Sequence, residues 1–296
     1  MFLDGLVAMA KSFRRRHPLV RLAALLVVIL IGYALIIPFA QHQNSKLRVR
    51  EISVVSDRLV GADNLRIAHL SDLHSKQFGE GNVDLLNKIN ELNPDLIVNT
   101  GDTLHQSGDY YEEVIVFFGQ MADIAPTVSV MGNHEPRTGL RADFIERLVA
   151  EGVYFLDNEF LQLDLGGVEV SILGLDERYQ LREATRYELS LIEELQGMPG
   201  IRIILSHYPH EFSLIEEQAW SQFDFELMFA GHAHGGQWIV PGIGGLFAPE
   251  QWLFPKQYRG LYEGRLVLSP GLGNSHFPLR LNNFPEIMLV ELTPAD

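Results

Sequence analysis

The alternation of apolar and polar positions divides the chain into a uniformly apolar stretch, a short polar one, and a long mixed one. Leu22 to Ala40 carries no charge and no polar period. As a helix such a run, near the ~20 residues a bilayer core requires, crosses the hydrocarbon layer. Residues 41–50 are polar and read as a linker. From residue 51 to 296, short apolar runs alternate with amphipathic stretches, and neither repeats nor low-complexity tracts intervene. The runs Leu65–Leu70, Leu96–Asn99, Thr127–Val130, Arg202–Leu205 and Leu227–Phe229 are short and flanked by Gly, Pro or Asp, as buried strands are. Val83–Leu92 and Tyr110–Met121 carry helical spacing, which predicts β–α units around a largely parallel or mixed sheet. A second set of runs, Leu161–Leu163, Glu169–Leu173, Leu266–Leu268 and Ile287–Leu292, predicts a further sheet. The expected fold is α/β, a sheet-on-sheet sandwich with helices outside.

The segments before the domain define its expected placement. Residues 1–21 hold Lys11, Arg14, Arg15, Arg16 and Arg21, residues 22–40 form the anchor, and Lys46, Arg48 and Arg50 follow it. The excess of basic residues on the N-terminal side favours a cytoplasmic N-terminus, and so a single-pass cell-membrane protein with an extracytoplasmic domain. A cleaved signal peptide is the rival reading, but such peptides end in small residues, whereas this run ends in Ile36, Ile37, Pro38 and Phe39. The arginines also loosely resemble a twin-arginine export signal. His17 and His42 flank the run as interfacial polar residues.

Composition narrows the chemistry. At 296 residues and 47% hydrophobic, the chain can bury one substantial core. Lys and Arg total 23 against 38 Asp and Glu, a formal charge of −15, which repels nucleic acid, so no nucleic-acid partner is expected. With 0 Cys, a metal must be held by His, carboxylate and amide groups. Such groups cluster just after the first set of apolar runs: Ser71-Asp72-Leu73-His74, Gly101-Asp102, Gly132-Asn133-His134-Glu135, Ser206-His207, and Gly231-His232-Ala233-His234-Gly235-Gly236. Loops beyond the carboxyl ends of strands in an α/β sheet form its ligand crevice, so these distant clusters can converge. Strand-like alternation within Asp72-Leu73-His74 and His232-Ala233-His234 would send both polar side chains of each pair to one side.

That ordered series, D-x-H, G-D, G-N-H-E, S-H and G-H-x-H, resembles the calcineurin-like metallophosphoesterase superfamily from about Leu65 to the C-terminus. With the anchor, Gly271-Leu272-Gly273 and Pro278-Leu279-Arg280, it looks more narrowly like the bacterial membrane-associated phosphoesterase and phosphodiesterase branch. The resemblance implies a four-layer α-β-β-α sandwich of two mixed sheets. It implies two divalent ions (Mn²⁺, Fe or Zn²⁺), with Asp72, His74 and His234 on one, Asn133, His207 and His232 on the other, and Asp102 bridging. In that family a hydroxide bridging the metals attacks phosphorus in line, and His134 contacts the phosphate and protonates the leaving oxygen, a role suited to a near-neutral pKa. The implied substrate is a phosphoester or pyrophosphate in a small molecule or lipid of the cell envelope. The alternatives are a UDP-diacylglucosamine-type lipid A precursor pyrophosphatase on the cytoplasmic face, and a non-catalytic metal-binding scaffold.

Arg280, Arg137 and His105 are candidate substrate contacts, Arg280 as a bidentate phosphate clamp. His210 is a further candidate contact, and His276 follows a Gly-rich loop. His69, inside a strand-type run, reads as a packed core residue. Trp238, Phe247, Trp252, Phe254 and Tyr258 either cover the sandwich edge or form an apolar lip against a bilayer.

Overall fold

A computed structural model describes residues 18–59, 63–176, 182–209, 212, 220–275 and 277–295. Lys11, Arg14, Arg15, Arg16, His17, His210 and His276, and the side chain of Arg21, lie outside the described residues. The chain divides into two units, Met1–His42 and Gln43–Asp296.

In the first unit, helix α1 (Pro18–Ser45) is apolar around its whole circumference and contains Pro38. Its stretch Leu22–Ser45, with a mean hydropathy of 2.8 over its most apolar part, is long and apolar enough to cross a membrane. The helix extends into the polar stretch read as a linker. In its last turn, Asn44 of the second unit accepts a hydrogen bond from the Arg280 amide at 3.0 Å and donates to the Pro278 carbonyl at 2.8 Å. The side chain of Gln43 accepts from the Asn282 amide at 2.5 Å.

The second unit holds two 6-stranded sheets. The first contains β1 (Arg48–Ser56), β2 (Leu65–Leu70), β3 (Leu96–Asn99), β4 (Thr127–Ser129), β5 (Tyr154–Phe155) and β16 (Glu286–Pro294), in the order β1-β16-β2-β3-β4-β5. The second contains β6 (Glu159–Leu165), β7 (Val168–Gly174), β8 (Ile201–Leu205), β9 (Leu227–Ala230), β14 (Gly260–Tyr262) and β15 (Leu266–Leu268), in the order β14-β15-β9-β8-β7-β6. Both are mixed: β2, β3, β4 and β5 run parallel while β16 opposes β2, and β7, β8, β9 and β15 run parallel while β6 and β14 oppose their neighbours. Two hairpins stand apart, β10 (Ile239–Val240) with β11 (Gly244–Gly245), and β12 (Phe247–Ala248) with β13 (Trp252–Leu253).

Successive side chains point to opposite faces of each strand and so sort into three apolar layers. Ile67, Val98, Ile203, Leu205 and Phe229 pack between the sheets. Ala68, Leu70 and Ile97 face the other way, onto α2 (Val83–Glu91), α3 (Tyr111–Ile124) and α4 (Arg141–Ala150), through Leu85, Ile89, Phe117, Phe118 and Phe144. Ile204, Met228 and Leu268 meet α5 (Arg182–Leu195) through Ile192 and Leu195 on the far side. This is the four-layer α-β-β-α arrangement. Because both faces of the central strands are apolar, those strands read as unbroken hydrophobic runs.

The grouping of strands differs from the expectation. Arg202–Leu205 and Leu227–Phe229 belong to the second sheet, not to one central sheet with Leu65–Leu70. Ile287–Leu292 belongs to the first, inserted between β1 and β2. An apolar run specifies burial but not which of two facing sheets it joins. Among the described residues strand β1 pairs only with β16, and its alternate residues are exposed, so it forms no continuous apolar run.

His69 is fully buried, its ring 5.1 Å edge-on from Phe229 and its Nε2 2.8 Å from Thr100 Oγ1. Burial pushes its pKa from 6.5 down to about 3. Between those values the unfolded chain binds a proton that the fold does not, so stability is full above pH 6.5 and is lost as pH falls, at about 1.4 kcal/mol per pH unit. Urea unfolding of His69→Leu across this range is expected to show a slope smaller by about one proton than the parent; equal slopes would contradict the assignment.

Candidate metal centre

Strands β2, β3 and β4 of one sheet and β8 and β9 of the other all deliver their following loops to one place. The delivery is not by pleat alternation. Asp72 (φ 52), His74 (φ 48), Asp102 (φ 53), His232 (φ 68) and His234 (φ 46) lie in the left-handed region, which is costly for side-chain-bearing residues. The loops hold one another in it: Asp72 N donates to Gly101 O at 2.9 Å, His74 N to Asp102 O at 2.9 Å, and Gly231 N to His207 O at 3.0 Å. Glu135, fully buried, accepts from the amides of Asp102 (3.1 Å), Thr103 (2.5 Å), Leu104 (3.1 Å) and Gly132 (2.9 Å), which gives this motif residue an anchoring role. Glycine is required where loops touch. A Cβ on Gly132 would sit 2.3 Å from Asp102 N, and one on Gly231 would sit 1.9 Å from Ser71 Oγ.

Asp102 occupies the middle. Asp72, His74, Asp102 and His234 form one group that could hold a metal ion, and Asp102, His207 and His232 form another. In the first, His74 Nε2 lies 3.3 Å from His234 Nε2, 3.6 Å from Asp102 Oδ2 and 4.0 Å from Asp72 Oδ1, and His234 Nε2 lies 3.5 Å from that same Asp72 oxygen. In the second, His207 Nδ1 is 2.7 Å from the Thr100 carbonyl, which only accepts, so that nitrogen bears the hydrogen and a neutral ring leaves Nε2 bare. Bare Nε2 points at Asp102 Oδ2 (3.3 Å) and at His232 Nδ1 (3.1 Å). The other nitrogen of His232 bonds the Glu250 carboxylate. Lone pairs brought this close repel unless a proton or a cation lies between them. Asn133 Oδ1 is also buried without a hydrogen-bond partner among the described residues, a neutral oxygen donor on the wall of the same cleft. The donor set fits divalent cations of borderline hardness.

The histidines and Asp102 agree with that fit electrostatically, while burial raises Asp72, a carboxyl that a nearby cation would hold ionised. Burial pushes His74 down to about 3 and lowers His234 as well, so both rings keep a free lone pair. Burial alone would raise Asp102, but His207, His74 and His134 outweigh it and hold this carboxyl well below its usual range.

His134 stands over Asp102, its amide donating to Asp102 Oδ1 at 2.8 Å and its Nε2 lying 3.4 Å from Ser275 Oγ. Burial, reinforced by Arg137 and opposed by Asp102, pushes its pKa to about 4, below the near-neutral value expected from residue type. His105 is half-buried with its ring 5.9 Å from that of His134, and Arg137 is exposed on the cleft wall. Arg280 is elsewhere. It is fully buried and outside the cleft lining, with Nε on Asn274 Oδ1 (2.9 Å), Nη1 on Pro270 O (2.7 Å) and Nη2 on Gly273 O, so three of its five N–H groups serve the protein's own acceptors. It fastens the loop whose Leu272 amide donates to Ser71 O at 3.0 Å and whose Gly273 amide donates to Asp72 O at 2.6 Å.

The cleft above the centre has a volume of ≈ 520 Å³. One wall is aromatic, with centroids of Phe247 and Phe277 5.7 Å apart, Phe247 and Trp252 6.2 Å apart, and Trp252 72% exposed. Tyr208, Glu250, Ser275 and Phe277 also line it and were not anticipated, because each sits on a loop without metal-type or phosphate-type spacing.

A family model described as calcineurin-like phosphoesterase matches residues 65–236, which span every one of these ligand-bearing loops. The chain belongs to the calcineurin-like phosphoesterase family. It is similar to "Phosphodiesterase YaeI" of Escherichia coli (27% identity, covering 77% of this chain and 82% of the relative). It is also similar to "Uncharacterized metallophosphoesterase YkoQ" of Bacillus subtilis (24%, covering 88% and 97%). A third relative is the "Transmembrane protein with metallophosphoesterase domain" of Bos taurus (25%, covering 79% and 54%). The chain is a metal-dependent phosphoesterase.

Within a calcineurin-like phosphoesterase, a loop fastener and a phosphate clamp respond differently to truncation. Arg280→Ala is expected to cost about 3 kcal/mol or more, since carbonyls bonded to a buried cation lose their partner, while KM for a phosphodiester stays within about twofold in protein that remains folded. Urea unfolding and steady-state kinetics measure both. A raised KM at unchanged stability would restore the clamp.

Proposed function

We propose that the chain hydrolyses a phosphodiester bond in a membrane-associated or lipid-linked substrate, with two divalent ions held by Asp72, His74 and His234 on one side, Asn133, His207 and His232 on the other, and Asp102 shared. The observation that carries this reading is the pair of donor groups meeting at Asp102 on the floor of a cleft with one aromatic wall. Ions bound there supply Lewis acidity that neutralises phosphate oxygens and activates a water for in-line attack. The chain's own residues do the rest. Asp102 keeps both donor groups in register, and Arg137 offers an exposed guanidinium to an approaching anion. His134, whose burial disfavours the imidazolium, gains that charge beside an anionic phosphate and passes the proton to the departing oxygen. Phe247, Trp252 and Phe277 give an acyl or prenyl chain an apolar surface. Helix α1 supports a membrane anchor, with the basic excess at its N-terminal side favouring an extracytoplasmic domain. The name of the Escherichia coli relative supports a diester in preference to a monoester.

The full chain in detergent, stripped of metal and reloaded with Mn²⁺, is expected to cleave bis(p-nitrophenyl) phosphate, and to stop on chelation or with Asp102→Ala. His134→Ala should retain its metal and lose about 10²–10⁴-fold in kcat. A lipid phosphodiester in mixed micelles should exceed the soluble diester in kcat/KM. A metal-loaded protein inert towards mono- and diesters would overturn the enzymatic reading, and equal kcat/KM for soluble and lipid diesters would remove its lipid part.

A further inference from the structure

We infer that Glu250 is a positioning residue for the second donor group, fixing the ring of His232 so that Nδ1, and not Nε2, faces the metal. The inference rests on the metal-holding role proposed above. Glu250 belongs to no motif of the ligand series and lies at the tip of the β12–β13 hairpin, with φ 56, between the paired residues Ala248 and Trp252. Its carboxylate, 44% exposed, bonds His232 Nε2. A carboxylate at ordinary pH only accepts, so Nε2 bears the hydrogen, and the nitrogen left for a cation is Nδ1, the atom 3.1 Å from His207 Nε2.

The neighbouring groups hold the ring where the hairpin puts it. The Tyr208 ring stands edge-on at 4.4 Å from the His232 ring, and the His232 amide is 3.1 Å from both Asp72 oxygens. The hairpin itself is fixed from behind. Ala248 is fully buried, and Gln251 exchanges hydrogen bonds with the Gln257 backbone at 2.6 and 3.0 Å. His207 has a fixed backbone acceptor, Thr100 O, for the same purpose. His232 has a side chain instead, so the second donor group depends on a residue outside the motif. The arrangement also ties the aromatic wall to the metal, because Phe247 and Trp252 flank Glu250 on the same hairpin.

The test is metal binding rather than turnover. Full-length, metal-free protein in detergent is titrated with Mn²⁺ by calorimetry, with stoichiometry confirmed by elemental analysis and coupling between ions read by electron paramagnetic resonance. The parent is expected to bind two ions per chain with a spin-coupled signal. Glu250→Ala should bind one ion at parental affinity and the other about 10- to 100-fold more weakly, with the coupled signal lost at parental Mn²⁺ concentration. Glu250→Gln, which still accepts from Nε2, should recover most of that loss. Leu253→Ala, an exposed change on the same hairpin, should leave both affinities at the parental value. If Glu250→Ala binds both ions as tightly as the parent, the inference fails while the metal reading stands. It also fails if both sites weaken together and Glu250→Gln does not rescue. If the parent binds fewer than two ions, both readings fail.

Discussion

Imidazole nitrogens and carboxylate oxygens do not remain in a buried pocket with lone pairs opposed unless positive charge lies between them. In this chain His207 Nε2, His232 Nδ1 and Asp102 Oδ2 are set that way, and beside them the Nε2 atoms of His74 and His234 lie close to each other and to Asp72. Asp102 belongs to both sets. Much of the remaining architecture serves to impose this arrangement. Loops from two separate sheets must meet within hydrogen-bonding distance, and several of their residues must hold left-handed backbone.

The cost of that backbone is met locally. Glu135 collects the amides that the Gly101–Leu104 and Gly132–Glu135 turns leave unpaired, and Asn99 Oδ1 accepts from Gly101 N (3.0 Å), Thr103 Oγ1 (3.1 Å) and Ser129 Oγ (3.2 Å). Behind these loops the three apolar layers fix the strands from which they spring, and the Arg280-bound loop closes against Asp72. Rigidity beneath a metal centre has a plain use. A donor atom displaced by a fraction of an ångström costs affinity, and close-packed layers resist that displacement.

The order of the metal-competent loops was legible in the sequence, because candidate donors without cysteine leave a distinctive residue series: Asp72-x-His74, Asp102, Asn133-His134, His207 and His232-x-His234. The sequence also showed the layered α/β class, since buried strands announce themselves as apolar runs. What it hid depended on contacts between distant segments. Glu286–Pro294 joins the first sheet through pairings that no local pattern encodes. Arg280 looked like a phosphate clamp because it follows a glycine-rich loop, yet burial and three acceptors make it part of the loop's own scaffold. His134 took a near-neutral pKa from its residue type, whereas its surroundings push that value down. Glu250 could not be read at all, since nothing in a Pro-Glu-Gln hairpin tip indicates that it ends on an imidazole.

The two-ion centre would show itself in anomalous diffraction from crystals loaded with Mn²⁺ or Zn²⁺. It should give two anomalous peaks about 3.5–4 Å apart, one among Asp72, His74 and His234 and the other among Asn133, His207 and His232, with Asp102 between them. A single peak under saturating metal, or a pair of peaks bound by other side chains, would contradict it.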